Sequence, residues 1–226
     1  MAKTYSIAID GPAGAGKSTI ARRLAKELGF YYVYTGAIYR TVAYFMDLLG
    51  ISPKDADGVE RYIDELTISI EYDEEGVQHM IMNGMDVSDD IRTQDISKKA
   101  SLVSAHSVVR DVLLDMQRDV AKKHNVIMDG RDIGTVVLPK ANVKIFLTAD
   151  PEVRAKRRYD ELIGKGQKAD LPQILKEIKQ RDHQDMTRPI APLKQAKDAV
   201  LVDTSALDID GVVAEIKSIV KEKISL

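Results

Sequence analysis

Cysteine is absent from the 226 residues, which excludes disulfides, thiolate zinc sites and a cysteine nucleophile. Histidine is scarce, and His79, His106, His124 and His183 show no H-x-x-x-H spacing, so no transition-metal centre is expected. No stretch approaches the roughly 20 apolar residues of a membrane span. The only early apolar run, Tyr5 to Asp10, leads into a glycine-rich loop and does not read as a signal region. An excess of one charge is missing as well. With 33 Lys+Arg against 35 Asp+Glu the formal net charge is -2, so neither a nucleic-acid polymer nor an acidic membrane is expected as partner. Repeats and low-complexity tracts are also lacking. The expectation is a cytoplasmic chain able to bury the core of one α/β domain with insertions.

What is present is a nucleotide signature. Gly11-Pro12-Ala13-Gly14-Ala15-Gly16-Lys17-Ser18-Thr19 matches G-x-x-x-x-G-K-[ST] in full. It lies between a strand-like run, Tyr5 to Asp10, and a segment with helical apolar spacing at Ile20, Leu24 and Leu28. Glycines let such a loop point its N–H groups at a phosphate, and the helix N-terminus adds partial positive charge. Lys17 is positioned for the β- and γ-phosphates of ATP and Ser18 for Mg²⁺.

Further strand-like runs fall at Tyr31 to Tyr34, Val126 to Asp129, Val143 to Thr148 and Ala199 to Asp203, with helical segments between them. The alternation predicts an α/β P-loop NTPase core: a five-stranded parallel sheet between helices, with ligands beyond the carboxyl ends of the strands. Two regions interrupt it. Leu66 to Val87 holds short β-rich runs and an Asn83-Gly84 hairpin signal, which predicts a small antiparallel β insert. Gln94 to Lys122 then reads as two helices or one bent helix. Arg154 to Leu193 is helical and polar, interrupted by Gly164-Lys165-Gly166, and reads as a helical lid or as a plain surface excursion. The predicted layout is a single domain, 1–226, with its core at 1–36, 123–150 and 194–226, a monophosphate-binding region at 37–122 and a lid at 151–193.

Several polar groups stand where chemistry is expected. Thr35 suits a helix N-cap, with Tyr39 and Arg40 in the first turns behind it; Arg40 could hold a second phosphate bidentately. Asp129 ends a buried strand and is a candidate Mg²⁺ carboxylate, with Arg131 and Asp132 just beyond. Arg154, Arg157 and Arg158 share a helical face whose like charges suggest a polyphosphate, although Asp160 and Glu161 could partly pair with Lys156 and Arg157. Arg181, Asp185 and Arg188 recur on one face, to bind a phosphate and a ribose hydroxyl or to brace one another. Arginines outside the phosphate loop imply a second anionic substrate. Phosphoryl transfer to an ionised phosphate needs positioning, charge neutralisation and exclusion of water, and no general base. A kinase for another small acceptor and an ATP-binding switch or assembly module are the alternatives.

The segments Ile9 to Thr19, T-G-A-I-Y-R at Thr35 to Arg40, D-I-R-T-Q at Asp90 to Gln94, D-G-R-D-I-G-T-V-V at Asp129 to Val137, V-K-I-F-L at Val143 to Leu147 and R-D-x-x-D-x-x-R at Arg181 to Arg188 together resemble the bacterial cytidylate kinases along essentially the whole chain. The resemblance implies transfer of the ATP γ-phosphoryl group to CMP or dCMP, dependence on Mg²⁺, and a cytosolic monomer. It implies catalytic roles for Lys17, Arg131, Arg157 and Arg158, with Arg154 also on the ATP side. It further implies that Ser101, Arg110 and Asp132 meet the cytosine, Arg40, Arg131 and Arg188 the CMP phosphate, and Arg181 and Asp185 the sugar, with Tyr39 and Arg92 shaping the acceptor side. One position departs from the family pattern: Tyr34 precedes T-G where aspartate is usual, which predicts reduced turnover.

Overall fold

Ile7, Ala8 and Ile9 form an uninterrupted apolar run between Ser6 and Asp10, and all three are fully buried in strand β1 (Ser6–Asp10). Such continuous runs suit strands covered on both faces. The computed structural model describes residues 4–224. After β1 the chain forms α1 (Lys17–Leu28), β2 (Tyr31–Tyr34), α2 (Thr35–Leu48), α3 (Ala56–Tyr62), β3 (Ile68–Tyr72), β4 (Gln78–Met82), β5 (Met85–Asp86), α4 (Gln94–Val103) and α5 (Ser107–Lys123). There follow β6 (Val126–Gly130), β7 (Val143–Thr148), α6 (Pro151–Gly164), α7 (Leu171–Thr187), β8 (Val200–Asp203) and α8 (Ile209–Lys223). Two compact units arise, one built on Tyr31–Val126 and the other on Tyr5–Phe30 with the chain from Ile127 onward.

The five-stranded parallel sheet has the order β2-β6-β1-β7-β8. β1 pairs with β7 from Ile7↔Val143 to Asp10↔Phe146, and β7 with β8 from Ile145↔Val200 to Thr148↔Asp203. Ile127, Met128, Ile145 and Leu147 join Ile7 and Ile9 in the core of the second unit. α1 is preceded by Gly16 as its N-cap, whose φ of 87° only glycine adopts freely, and buries Ile20, Ala21, Leu24 and Ala25.

In the first unit β3, β4 and β5 form the expected antiparallel sheet. Asn83 and Gly84 both take positive φ, 49° and 82°, which matches the twist of a two-residue hairpin. The Gln94 to Lys122 region is two helices. Ser104 Oγ donates to the Ser101 carbonyl at 2.9 Å, a local bond that competes with continued helix. In the second of these helices Val109 and Leu113 carry the buried face, and Val112 is 43% exposed.

Two local features differ from the sequence reading. Thr35 is the first residue of α2, buried, and the N-cap is Tyr34 without a side-chain capping bond. The cause lies in the insert. Gln78 of β4 accepts the Tyr34 N–H at 2.7 Å and donates to the Tyr34 carbonyl at 3.4 Å, holding that residue extended until the helix starts. The second feature is a π-helical turn over Ile133–Val137. Asp10, at the end of β1, accepts the N–H groups of both Ile133 and Gly134 at 2.7 Å, which starts that turn.

Candidate active site

In the second unit the phosphate loop runs from the end of β1 into α1, and its glycines are sterically required. A Cβ on Gly11 would lie 1.9 Å from the Leu147 carbonyl oxygen, and Gly11, Gly14 and Gly16 all have positive φ. Pro12, Ala13, Ala15 and the exposed Thr19 complete the loop and first turn. Lys17 is buried, and its ammonium donates to the Pro12 carbonyl at 2.7 Å. Burial holds that ammonium well below the usual lysine range; Arg131 pushes the same way, while Asp129 and Asp185 oppose. An arriving polyanion would therefore find a lysine whose protonated form it stabilises strongly.

Ser18 Oγ donates to Asp129 Oδ2 at 2.8 Å, which brings together the two groups expected to serve a metal. Both are hard oxygen donors. Among the described residues no cluster of three or more His, Cys, Asp or Glu forms a metal cage. That pairing fits Mg²⁺, which takes few protein ligands and completes its shell with phosphate oxygens and water.

Beyond Asp129 the chain presents Arg131 and Asp132, one engaged by α7 and the other by Arg188, the residue that ends it. Arg131 Nε donates to Asp185 Oδ2 at 2.8 Å, and Arg188 Nη2 donates to Asp132 Oδ1 at 3.2 Å. Burial of Asp185 raises its carboxyl pKa, yet Arg131, Arg181 and Arg188 together hold it below the usual carboxylate range. Arg181 and Asp185 lie on α7 while Arg188 ends it with non-helical backbone, and Asp185 and Arg188 reach Arg131 and Asp132 just beyond β6 rather than only each other.

The three arginines of α6 have different partners. Arg154 is 3% exposed and donates to Asp182, Ala149 and Ala13. Arg157 donates to Thr204 Oγ1 at 3.1 Å and to the Thr204 carbonyl at 2.5 Å. Arg158 pairs with Glu161 on the surface. Glu161 was expected beside Arg157, but at i+3 it meets Arg158, while Asp160 pairs with Lys156 as expected.

The first unit holds the remaining candidates. The Arg40 guanidinium lies 5.5 Å from the centre of the Tyr34 ring and donates to Ser97 Oγ at 3.3 Å. Arg110 is buried, sits 5.6 Å over the Tyr39 ring and donates to the Ser104 carbonyl at 3.3 Å. Ser104 in turn bonds the Ser101 carbonyl. The Ser101 hydroxyl is buried and has no hydrogen-bond partner among the described residues, a state that costs about 1–3 kcal/mol until something fills it. Arg92 stands apart, 64% exposed and paired with Asp89.

Asp10, Gln78 and Asp182 carry contacts to which sequence reasoning gave no role. Asp10 was legible by the logic applied to Asp129, an acid ending a buried strand. Burial pushes its carboxyl up from 3.8 to about 6, against the two N–H bonds, with Asp132 adding to the rise. The folded protein thus holds this proton more tightly than the unfolded chain does. Its stabilising contribution is complete below pH 3.8 and is lost as pH rises through about 6. Urea-unfolding free energies measured from pH 4 to 7 are expected to fall about 2 kcal/mol further in the wild type than in Asp10→Asn. Parallel pH profiles would show that this carboxyl is not the source.

A family model described as Cytidylate kinase matches residues 7–222. The chain is 47% identical over 222 residues to the Cytidylate kinase of Exiguobacterium sp. (strain ATCC BAA-1283 / AT1b), covering 98% of this chain and 99% of that protein. It is 48% identical over 217 residues to the Cytidylate kinase of Carboxydothermus hydrogenoformans, covering 96% and 97% respectively. A solved structure from Eubacterium ventriosum ATCC 27560, described as an uncharacterized protein, superposes with a TM-score of 0.52 at 15% identity, over 97% of this chain and 99% of that one, a likeness of fold alone.

Proposed function

The chain belongs to the cytidylate kinase family and is a phosphotransferase that phosphorylates a nucleoside monophosphate, and from that premise we propose how its residues divide the work. The reaction is ATP + CMP giving ADP + CDP; dCMP is a second acceptor. Gly11 to Thr19, with Arg157 and Arg158, serve ATP. Ser101, Arg110 and Asp132 read the base, Arg40, Arg131 and Arg188 neutralise the acceptor phosphate, and Arg181 and Asp185 meet the sugar, with Thr35, Tyr39 and Arg92 supporting the acceptor side. The segment 151–193 acts as the lid and 37–122 as the monophosphate-binding region. The enzyme works as a cytoplasmic monomer.

The observation that carries the reading is the Ser18 to Asp129 contact at 2.8 Å, which joins the phosphate loop to the end of β6. Ser18 and Asp129 would hold Mg²⁺, which neutralises charge developing on the transferred phosphoryl group. The chain's own part is positioning. Lys17 and Arg131 supply positive charge from a low-dielectric site, where it counts for more than in water. The acceptor oxygen is an ionised phosphate oxygen, so no side chain need remove a proton.

The test is ADP release from Mg-ATP in a coupled assay with CMP, dCMP, UMP, AMP and no acceptor. Fast release with CMP and dCMP only is the expected result. Acceptor-independent release would point instead to a nucleotide switch.

Tyr34 gives a separate expectation. Its bonds to Gln78 use only backbone atoms, so Tyr34→Asp should keep the strand end in place while placing a carboxylate near Arg40 in exchange for the ring. A carboxylate there can help order Mg²⁺ or its waters, and kcat with CMP is expected to rise about threefold to tenfold. An unchanged or lower kcat would reject a catalytic cost for the tyrosine.

A further inference from the structure

Arg154 was expected among the groups that touch ATP, yet its guanidinium is turned into the protein. Nε donates to the Ala149 carbonyl at 2.8 Å, Nη1 to the Ala13 carbonyl and to Asp182 Oδ1, each at 3.0 Å, and Nη2 to Asp182 Oδ2 at 2.6 Å. With only 3% of the residue exposed, little of it is accessible to a nucleotide. The Ala13 carbonyl belongs to the phosphate loop itself, and a Cβ built on Gly14 would rest 3.4 Å from Arg154 Cβ. The loop is therefore seated on the stem of this arginine and tied to its head.

The other end of the fork is equally informative. Asp182 lies on α7 one turn before Asp185, and Asp185 takes the Nε–H of Arg131 at 2.8 Å. Arg131 follows the end of β6, where Asp129 accepts the hydroxyl hydrogen of Ser18 at 2.8 Å. The contacts close a circuit. They run from Ala13 through Arg154 and Asp182 to α7, then through Asp185 and Arg131 to the end of β6, and return through Asp129 to Ser18 on the far side of the same loop. Bidentate arginine–carboxylate pairs in buried surroundings have little freedom to reorient, so a shift of the loop that holds ATP must displace α7 or break a charge-assisted bond.

We propose that Arg154 is a positioning residue, paired with Asp182 to couple the phosphate loop to helix α7, so that binding of ATP and binding of CMP influence each other through a contact that touches neither nucleotide. The inference deepens the division of residues proposed above and rests on it: the loop serves ATP, and α7 carries Arg181 and Asp185 to the acceptor. Coupling of this kind is reciprocal, with each ligand changing the affinity of the other by the same factor.

The experiment is calorimetric titration of CMP with and without a non-hydrolysable ATP analogue, and the reverse, on the wild type, Asp182→Asn and Arg154→Lys, with thermal unfolding of each. The wild type is expected to show a coupling factor of about five or more. Asp182→Asn should weaken affinity for the analogue about threefold to tenfold and bring the factor close to one, although both carboxylate oxygens of Asp182 face Arg154. Arg154→Lys, which keeps the charge but loses the fork, should do the same and serves if Asp182→Asn does not fold. Three results would overturn the proposal. These are a wild-type factor of one, a lowered Tm with affinities and coupling unchanged, and weakened analogue binding in Arg154→Lys but not in Asp182→Asn, which would mark direct contact with ATP. Failure of the wild type to bind CMP at all would instead strike the functional reading.

Discussion

Lys17→Ala is expected to slow phosphoryl transfer to CMP about 150-fold or more, equivalent to roughly 3 kcal/mol of transition-state stabilisation. The size follows from where the ammonium sits. It is 6% exposed and anchored on the Pro12 carbonyl, so the loop that receives the phosphates also aims the charge, and little reorganisation remains when the reaction occurs. Burial already disfavours the protonated form in the free protein. A bound polyphosphate favours the protonated form, and alanine removes both the charge and the bond that shapes the loop. Steady-state kcat and the KM for ATP, with circular dichroism to confirm the fold, check the result. Near-normal activity would falsify the assignment of Gly11 to Thr19 to ATP.

Asp132→Asn is expected to reduce the preference for CMP over UMP about 100-fold or more, since a buried polar site can discriminate by about 10⁴ on such a mismatch. Cytosine offers an amine at N4, where uracil carries an oxygen. A carboxylate accepts from the first and repels the second, whereas an amide can turn either end toward the base. Asp132 has a second attachment, because Arg188 donates to it at 3.2 Å and only 7% of that arginine side chain is exposed. Neutralising the carboxylate therefore also loosens Arg188 and should lower kcat/KM for every acceptor. The ratio of kcat/KM for CMP to that for UMP separates the two effects, because the loss through Arg188 is common to both. An unchanged ratio would remove Asp132 from base reading.

Much of the fold was legible because local signals agreed. Strands β2 and β7 fall at the residues read from apolar runs, and β1, β6 and β8 within one residue at an end. The hairpin at Asn83-Gly84 was readable because that turn requires positive φ at both positions. Thr35 misled because its hydroxyl suits an N-cap, while the start of α2 is set by the bond of Tyr34 to Gln78, 44 residues beyond it in the chain. The π-helical turn at Ile133–Val137 was hidden for the same reason, its initiating carboxylate lying on β1. The arginines of α6 show how spacing reaches its limit. Periodicity places Arg154, Arg157 and Arg158 near one another, but it says nothing of which one meets Asp182, Thr204 or Glu161.

The sequence by itself determined the phosphate loop, the alternation that builds the sheet and the family to which the chain belongs. Those properties rest on residue type at short spacing, where glycine conformation, apolar periodicity and strand ends act within one or two elements. Only the tertiary structure decided which charged groups are available and which are committed to the protein. Arg154, Asp182 and Asp10 are bound to partners far away in the chain. Pairing of buried charges depends on which surfaces folding brings within about 3 Å, and no pattern local to either partner specifies that.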